Sequence, residues 1–297
     1  MRFRCSKFRP VRGVATAGLA ASAVLLASLV LAPRAASAAD TPGCEPQQIK
    51  AKYPALAGKT FRVAISAADK PNTYRDDKDP DKLTGFDVEY ARAAFACIGA
   101  PIEFFVGGWS GLMPALIAGQ TDVMWDALYY TPERAKSLDY VLYSSAGSAI
   151  VARKGNPKNI HALSDLCGLK AVSQLGSTEI ATLQRTSQAC RDAGKREIDV
   201  TIAQDRPSGL RELANDRVDA YLGIGSVASY DAALYEIAYS YNSGIKVGVG
   251  VRKGDKELEQ ALSDAIRQLQ ADGTAQKLYE TFQLNPALSV AAEILLE

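Results

Sequence analysis

Histidine occurs once in the 297 residues, as His161 in the turn-like stretch Asn159-Ile160-His161-Ala162. A lone loop imidazole is most simply a solvated side chain, so paired-histidine metal or proton-relay chemistry has no basis here. Cys-x-x-Cys, Gly-x-Ser-x-Gly, His-Glu-x-x-His and a phosphate-cradling glycine loop are also missing. Their absence removes the redox, serine-hydrolase, zinc-protease and nucleotide-dependent readings those motifs would carry. No basic block is interleaved with aromatics, so nucleic acid is not an expected partner. Glycine and proline are scattered rather than clustered, which argues against a disordered linker. Beyond residue 32, no apolar run approaches the ~18 residues that a membrane span needs.

What is present begins with a segregated N-terminus. Arg2, Arg4, Lys7, Arg9 and Arg12 precede an apolar stretch from Val14 to Ala32, and Ala36-Ser37-Ala38 follows. A basic start, an apolar centre and a small-x-small site in that order read as a secretory signal peptide over residues 1–38, with the mature chain starting at Ala39. The alternative is an uncleaved anchor, and the Ala-Ser-Ala site argues against it. Cys5 lies before the apolar stretch, where it cannot be a lipid-bearing cysteine that follows one. Removing the segment leaves 259 residues with 28 basic and 33 acidic side chains, a formal net charge of −5. That length suits two lobes sharing one soluble, exported, monomeric chain.

Cys44, Cys97, Cys167 and Cys190 remain in the mature part. An even number in an exported chain favours disulfides, and four cysteines allow three pairings. Cys44–Cys97 with Cys167–Cys190 is the preferred set because each bridge closes within one region of sequence.

Strand and helix patterns alternate along the chain. Thr60 to Ser66 reads as a strand, and Phe86 to Ile98 as a helix with Phe86, Tyr90, Ala94 and Cys97 on one stripe and Gly99 as its stop. Ile102 to Val106 is a strand, Leu112 to Ala118 a helix and Asp122 to Trp125 a strand. The pattern returns at Leu169 to Ser173, Ser177 to Cys190, Val200 to Ala203, Gly209 to Asn215 and Ala220 to Leu222. The stretches Leu116–Val123 and Leu213–Ala220 echo one another, each a helix end, a turn and an Asp leading into a strand. Such alternation implies an α/β fold with parallel sheets. Two strand-like runs, Ser148 to Arg153 and Lys246 to Arg252, would carry the chain out to a second lobe and back. Lys256 to Ala271 and Thr274 to Phe282 then read as closing helices, and Ala287 to Leu296 as a short helix-like tail. The expected architecture is two βαβ lobes on a two-strand hinge: residues 39–149 with 250–297 as lobe one, and 150–249 as lobe two. A ligand cleft would lie between them, beyond the carboxyl ends of the strands.

Four segments carry a family resemblance: Gly85-Phe86-Asp87-Val88-Glu89, Trp109-Ser110-Gly111-Leu112-Met113-Pro114-Ala115-Leu116, Thr131-Pro132-Glu133-Arg134-Ala135 and Val151-Ala152-Arg153-Lys154-Gly155-Asn156-Pro157. In this order, from about Thr60 to Leu284, they resemble the bacterial extracellular solute-binding proteins of family 3. The resemblance implies a type II-like periplasmic-binding fold without cofactor or metal. It also implies a polar ligand such as an amino acid or derivative, and an ABC importer's membrane permease as partner. Cys167-Gly168 with Cys190 resembles a family variant with a disulfide in lobe two.

By the same resemblance Arg134 falls where the ligand carboxylate is gripped, early in a helix that Thr131 can cap and Pro132 can start. A guanidinium fork there suits a carboxylate. Trp109 falls on an aromatic that stacks over the ligand, Ser177 and Thr178 on the lobe-two anion contact at a helix start, and Tyr74 on a first-loop aromatic. Two positions depart from the family. Ile224 stands where an Asp usually holds the ligand's ammonium, and Asp126 and Tyr129 stand where small residues are usual. Asp126 is accordingly expected to take the ammonium from lobe one, with Trp109, Trp125, Tyr129 and Tyr130 near enough to cage a bulky cation. Trp125 and Tyr130 are otherwise inward-packing strand residues. Exported dehydratases also use this fold, with Asp126 and Glu179 as the acids such chemistry would need. A sensing subunit read by a separate partner is the third class.

Overall fold

In the computed structural model of the chain, which describes residues 51–56, 58–225 and 231–296, most of these elements form. The order is β1 (Phe61–Ile65), β2 (Ala68–Asp69), β3 (Thr73–Arg75), β4 (Leu83–Thr84), α1 (Phe86–Ile98), β5 (Ile102–Val106), α2 (Trp109–Ile117), β6 (Val123–Tyr129), α3 (Pro132–Ala135) and β7 (Leu138–Arg153). There follow β8 (Lys170–Gln174), α4 (Thr178–Asp192), β9 (Asp199–Ala203), α5 (Arg206–Ala214), β10 (Ala220–Ile224), β11 (Tyr235–Arg252), α6 (Lys256–Ala271), α7 (Thr274–Thr281) and β12 (Ile294–Leu295).

β7 and β11 run antiparallel along their whole length, from Arg252 opposite Leu138 to Tyr235 opposite Arg153. At one end β11 pairs with β6, which continues through parallel β1 and β5. At the other end β7 pairs with β10, which continues through parallel β8 and β9. Two parallel sets therefore hang from one antiparallel ribbon, and each has its own apolar layers. Val63, Phe95, Val123, Leu262 and Ile266 belong to a core on one face of the first lobe, and Leu112, Leu116, Met124 and Leu138 to that on its other face. Ile150, Leu183, Cys190 and Leu222 pack together in the second lobe, with Val172, Leu213 and Tyr221 in a further cluster.

Local chemistry explains the boundaries. The stripe on α1 is buried, and Gly99 ends the helix in the left-handed region at φ 75°, its N–H bonding Ala96 O. Gly85 precedes the same helix at φ 129°, and a Cβ there would lie 2.1 Å from Asn72 O, so only glycine fits. α5 starts three residues before the expected Gly209, because Asp205 and Ser208 form a reciprocal cap.

The two crossing strands are far longer than their apolar runs indicate. Past a 3-10 turn at Pro286–Leu288 the tail is not helical: Ile294–Leu295 takes up the edge of β7 beside Tyr140 and Val141, and the Leu142 N–H bonds Glu293 O. An unpaired strand edge there is a stronger attractor than a short isolated helix. The small sheet of β2, β3 and β4 also went unread in the sequence. The signal segment, the start at Ala39 and Cys44 with its proposed bridge to Cys97 lie outside the described residues.

Cys167 and Cys190 are joined, with their Cα atoms 5.6 Å apart, pinning the run into β8 against the C-terminal half of α4. Replacing both by alanine is expected to lower the unfolding free energy by about 3 kcal/mol, the loop-closure value for such a separation. Urea unfolding followed by circular dichroism checks this. A midpoint equal to that of the parent would mean the bridge constrains nothing in the unfolded chain.

Candidate functional site

Between the lobes lies a cleft, open to solvent, bordered by the start of α2, the end of β6, α3, the β8–α4 turn and the end of β10. Arg134 stands at its centre. Thr131 caps α3 by accepting the Arg134 N–H at 3.1 Å, which fixes the side chain's origin. The guanidinium Nη1 donates to Tyr129 O at 2.8 Å in lobe one, and Nη2 to Gly176 O at 2.9 Å in lobe two. The Trp109 ring lies over it, 5.2 Å from Cζ to centroid. Gly176, at φ 80°, lets the turn close on Trp109; a Cβ there would sit 3.2 Å from the indole.

Opposite Arg134, α4 opens with Ser177 and Thr178. Ser177 Oγ is 3.0 Å from Ser173 Oγ, and Ser173 in turn donates to Leu222 O. Next along α4 is Glu179, 4% exposed yet bordering the cleft. Its carboxylate accepts from Ser148 Oγ at 3.0 Å and from Thr178 Oγ1 at 3.2 Å. A helix N-terminus flanked by hydroxyls attracts an anion, and the carboxylate beside it attracts a cation. Together with Arg134 they make a surface complementary to a zwitterion.

A second charge pair crosses the cleft. Arg206, at the start of α5, forms an ion pair with Asp69 on β2, and its Nη1 also donates to Lys70 O at 3.1 Å. Both side chains are buried. Burial pushes the Asp69 carboxyl up, and the Arg206 charge counters that.

The expected residues divide between cleft and interior. Trp109, Tyr129, Arg134, Ser177 and Thr178 all border the cleft, as does Ile224. Asp126 does not: it is fully buried and accepts hydrogen bonds from Thr73 and Ser66. Burial, reinforced by the Asp69 charge, pushes its carboxyl up to about 8, so at neutral pH it is mostly protonated and offers no anion to an ammonium. The residue expected to hold the ligand's amine is thus not among those bordering the cleft. Tyr74 stands on β3 beneath the Lys70 ammonium, 5.1 Å from its ring centre, and is not among the residues bordering the cleft. Trp125 packs inward between Tyr90 and Tyr143. His161 is exposed in its turn, with Nε2 2.9 Å from Asn159 Oδ1.

Glu179 was read in the sequence only as a possible catalytic acid, although it directly follows Ser177-Thr178. Asp69 and Arg206 carry no local signal, since they meet only when the lobes are assembled. Among the described residues, no group of three His, Cys, Asp or Glu side chains is placed to hold a metal, and no helix is long and apolar enough to cross a membrane.

Beside Asp126, Asp87 is also buried. It accepts from Tyr143 OH and from Ala127 N, each at 2.7 Å, and burial raises its carboxyl to about 7. In both acids the folded pKa lies above the unfolded value near 3.8. Their contribution to stability is complete below about pH 4 and is lost as pH rises through 7 to 8. Asp126→Asn is expected to raise the melting temperature at pH 8.5 while leaving it nearly unchanged at pH 3.5. Thermal unfolding across pH measures this, and an equal change at both pH values would contradict it.

Comparison with known proteins agrees with this geometry. Residues 61–285 match the profile of the bacterial extracellular solute-binding proteins, family 3. The L-cystine-binding protein TcyJ of Escherichia coli is 29% identical over 230 residues, covering 74% of this chain and 81% of its own. A solved ancestral arginine-binding protein bound to glutamine superposes with a TM-score of 0.67 at 34% identity, over 75% of this chain and 97% of its own. An ancestral amino acid-binding protein described as a precursor of cyclohexadienyl dehydratase gives 0.66 at 28%, over 80% and 98%.

Proposed function

Because this chain belongs to the bacterial extracellular solute-binding proteins of family 3, we propose that it captures an α-amino acid or close derivative outside the cytoplasmic membrane and delivers it to an ABC importer. The observation that carries this reading is Arg134, a half-buried guanidinium braced from both lobes and facing the N-terminus of α4. In this reading the ligand carboxylate replaces the two backbone carbonyls on Arg134 and takes further hydrogen bonds from Ser177 and Thr178. Trp109 and Tyr129 cover it. Glu179 holds the ammonium, a role that neither Ile224 nor protonated Asp126 can fill. The signal-like N-terminus supports export to the periplasm, and the protein acts there as a monomer. The dehydratase alternative is not favoured, since Glu179 is tied by two hydroxyl donors and, among the described residues bordering the cleft, the other acid is Asp69, which Arg206 holds.

Thermal-shift screening with the common amino acids tests the reading. A ligand at 100 times its dissociation constant adds about 2.7 kcal/mol of stability. Glu179→Gln is expected to weaken the best amino acid by on the order of tenfold or more, the loss of a charge-assisted hydrogen bond. If no amino acid, nor a derivative of one added to the same screen, raises the melting temperature of folded, ligand-stripped protein, the capture reading fails.

A further inference from the structure

The cleft does not end at Tyr129 and Ile224. Those two residues and Ala127 also line a second, larger space of about 1310 Å³, partly open to solvent, on the hinge side of the cleft. Its walls come from the Tyr143–Gly147 stretch of β7, from β11 and from the loop after α7. Gly147 and Gly225 both border it, and the Gly225 N–H bonds Gly147 O at 2.9 Å. Two glycines side by side leave the threshold without side chains that would fill it. Ile224, half-buried at the same threshold, presents an apolar surface that neither repels nor retains a passing chain.

The chemistry of this chamber is selective. Asn72, Ser145, Tyr241 and Asn285 offer amides and hydroxyls, and Asp87 supplies a carboxylate fixed by Tyr143 and Ala127. Among the described lining residues there is no lysine or arginine. An anionic group entering would find no counter-ion and only the Asp87 carboxyl, which burial raises to about 7, whereas a neutral or cationic hydrogen-bonding group would find acceptors on several sides.

We propose that the hinge chamber is a second subsite, which takes the far end of an elongated amino-acid derivative whose tail is uncharged or cationic while its carboxylate lies on Arg134. This rests on the amino-acid reading above and extends it. The tail has two possible origins, the side chain or a substituent on the α-nitrogen, and both reach the chamber only past Tyr129 and Ile224.

Isothermal titration of the purified, ligand-stripped protein with L-alanine, L-citrulline and glycyl-L-alanine tests the proposal. At least one of the two long probes is expected to bind at least tenfold more tightly than alanine. Citrulline winning assigns the chamber to the side chain, and glycylalanine winning assigns it to the nitrogen. Ala146→Phe fills the chamber without touching the cleft. It is expected to bring the long probe down to alanine's affinity and leave alanine within twofold. Because Ala146 also packs against the first lobe's core, Ser145→Phe serves as an independent block, with folding checked by circular dichroism. Long probes that bind no better than alanine, or a gain that survives both blocks, would overturn the second subsite while leaving amino-acid capture intact. Failure of all three probes to bind, with no amino acid active in the thermal-shift screen either, would overturn the capture reading and the subsite with it; failure of the three while another amino acid binds would overturn the subsite alone.

Discussion

Arg134→Met is expected to cost amino-acid binding on the order of 30-fold or more while leaving the ligand-free melting temperature close to that of the parent. The guanidinium is always charged and is held with little side-chain freedom by Tyr129 O and Gly176 O. In the proposed reading, its electrostatic partner in the loaded cleft is a carboxylate stripped of water. Removing one member of a buried, hydrogen-bonded charge pair costs about 2–5 kcal/mol, which corresponds to roughly 30- to 5,000-fold in affinity. Arg134→Lys keeps the charge but loses the planar fork, so it is expected to fall between parent and methionine variant. Calorimetric titration with the best amino acid decides the matter. Arg134→Met binding within threefold of the parent would remove Arg134 from the site.

The second large effect concerns Asp69 and Arg206. Arg206→Met leaves Asp69 buried beneath the cleft without its counter-ion, a situation that costs about 3–5 kcal/mol when the structure cannot yield. Here it can yield, because the two residues sit on different lobes. Parting the lobes returns Asp69 to water, and protonation removes its charge. The variant is therefore expected to sample a more open form, seen as a larger radius of gyration in solution scattering, and to bind ligand on the order of 10- to 100-fold more weakly at pH 8, the part of the penalty that opening leaves to be overcome on binding. The loss should shrink as pH falls towards 5, because Asp69, already pushed up by burial and now without Arg206 to counter it, takes up a proton more readily than an ordinary carboxylate. Asp69→Asn/Arg206→Met should recover most of the affinity at both pH values. If the single variant binds like the parent at pH 8, the pair plays no part in closure.

The difference between Arg134 and Arg206 also marks how much of the site the sequence carries. Arg134 is legible because its helix start, Thr131-Pro132-Glu133, is a local signal, and Ser177 and Thr178 likewise announce a helix. The alternation of elements is legible for the same reason, down to α6 over Lys256–Ala271. Arg206, Asp69 and the hinge chamber depend on residues more than 50 positions apart and on how two lobes face each other, which no local periodicity encodes. Asp126 misleads in the opposite direction. It stands at the right place in the sequence for a ligand contact, but its side chain takes the buried side of β6, where Thr73 and Ser66 bind it. The length of β7 and β11 was missed because their mutual pairing, rather than an apolar run, extends them. Their middle residues, such as Ser144, Ser145 and Ser240, are polar.

That shared ribbon also sets the order in which the chain becomes complete. β7 leaves the first lobe with β11, α6, α7 and β12 still to come, whereas everything the second lobe needs is available once β11 has begun. A polypeptide that emerges from its N-terminus forward can finish the second half first and must hold the opening half unclosed until nearly its last residue. Contacts that span most of the sequence form slowly and leave apolar surface uncovered in the interval. During that wait, Val63, Phe95 and Val123 lack the α6 side chains that later cover them, and a factor that retains unfolded chains would find its target there.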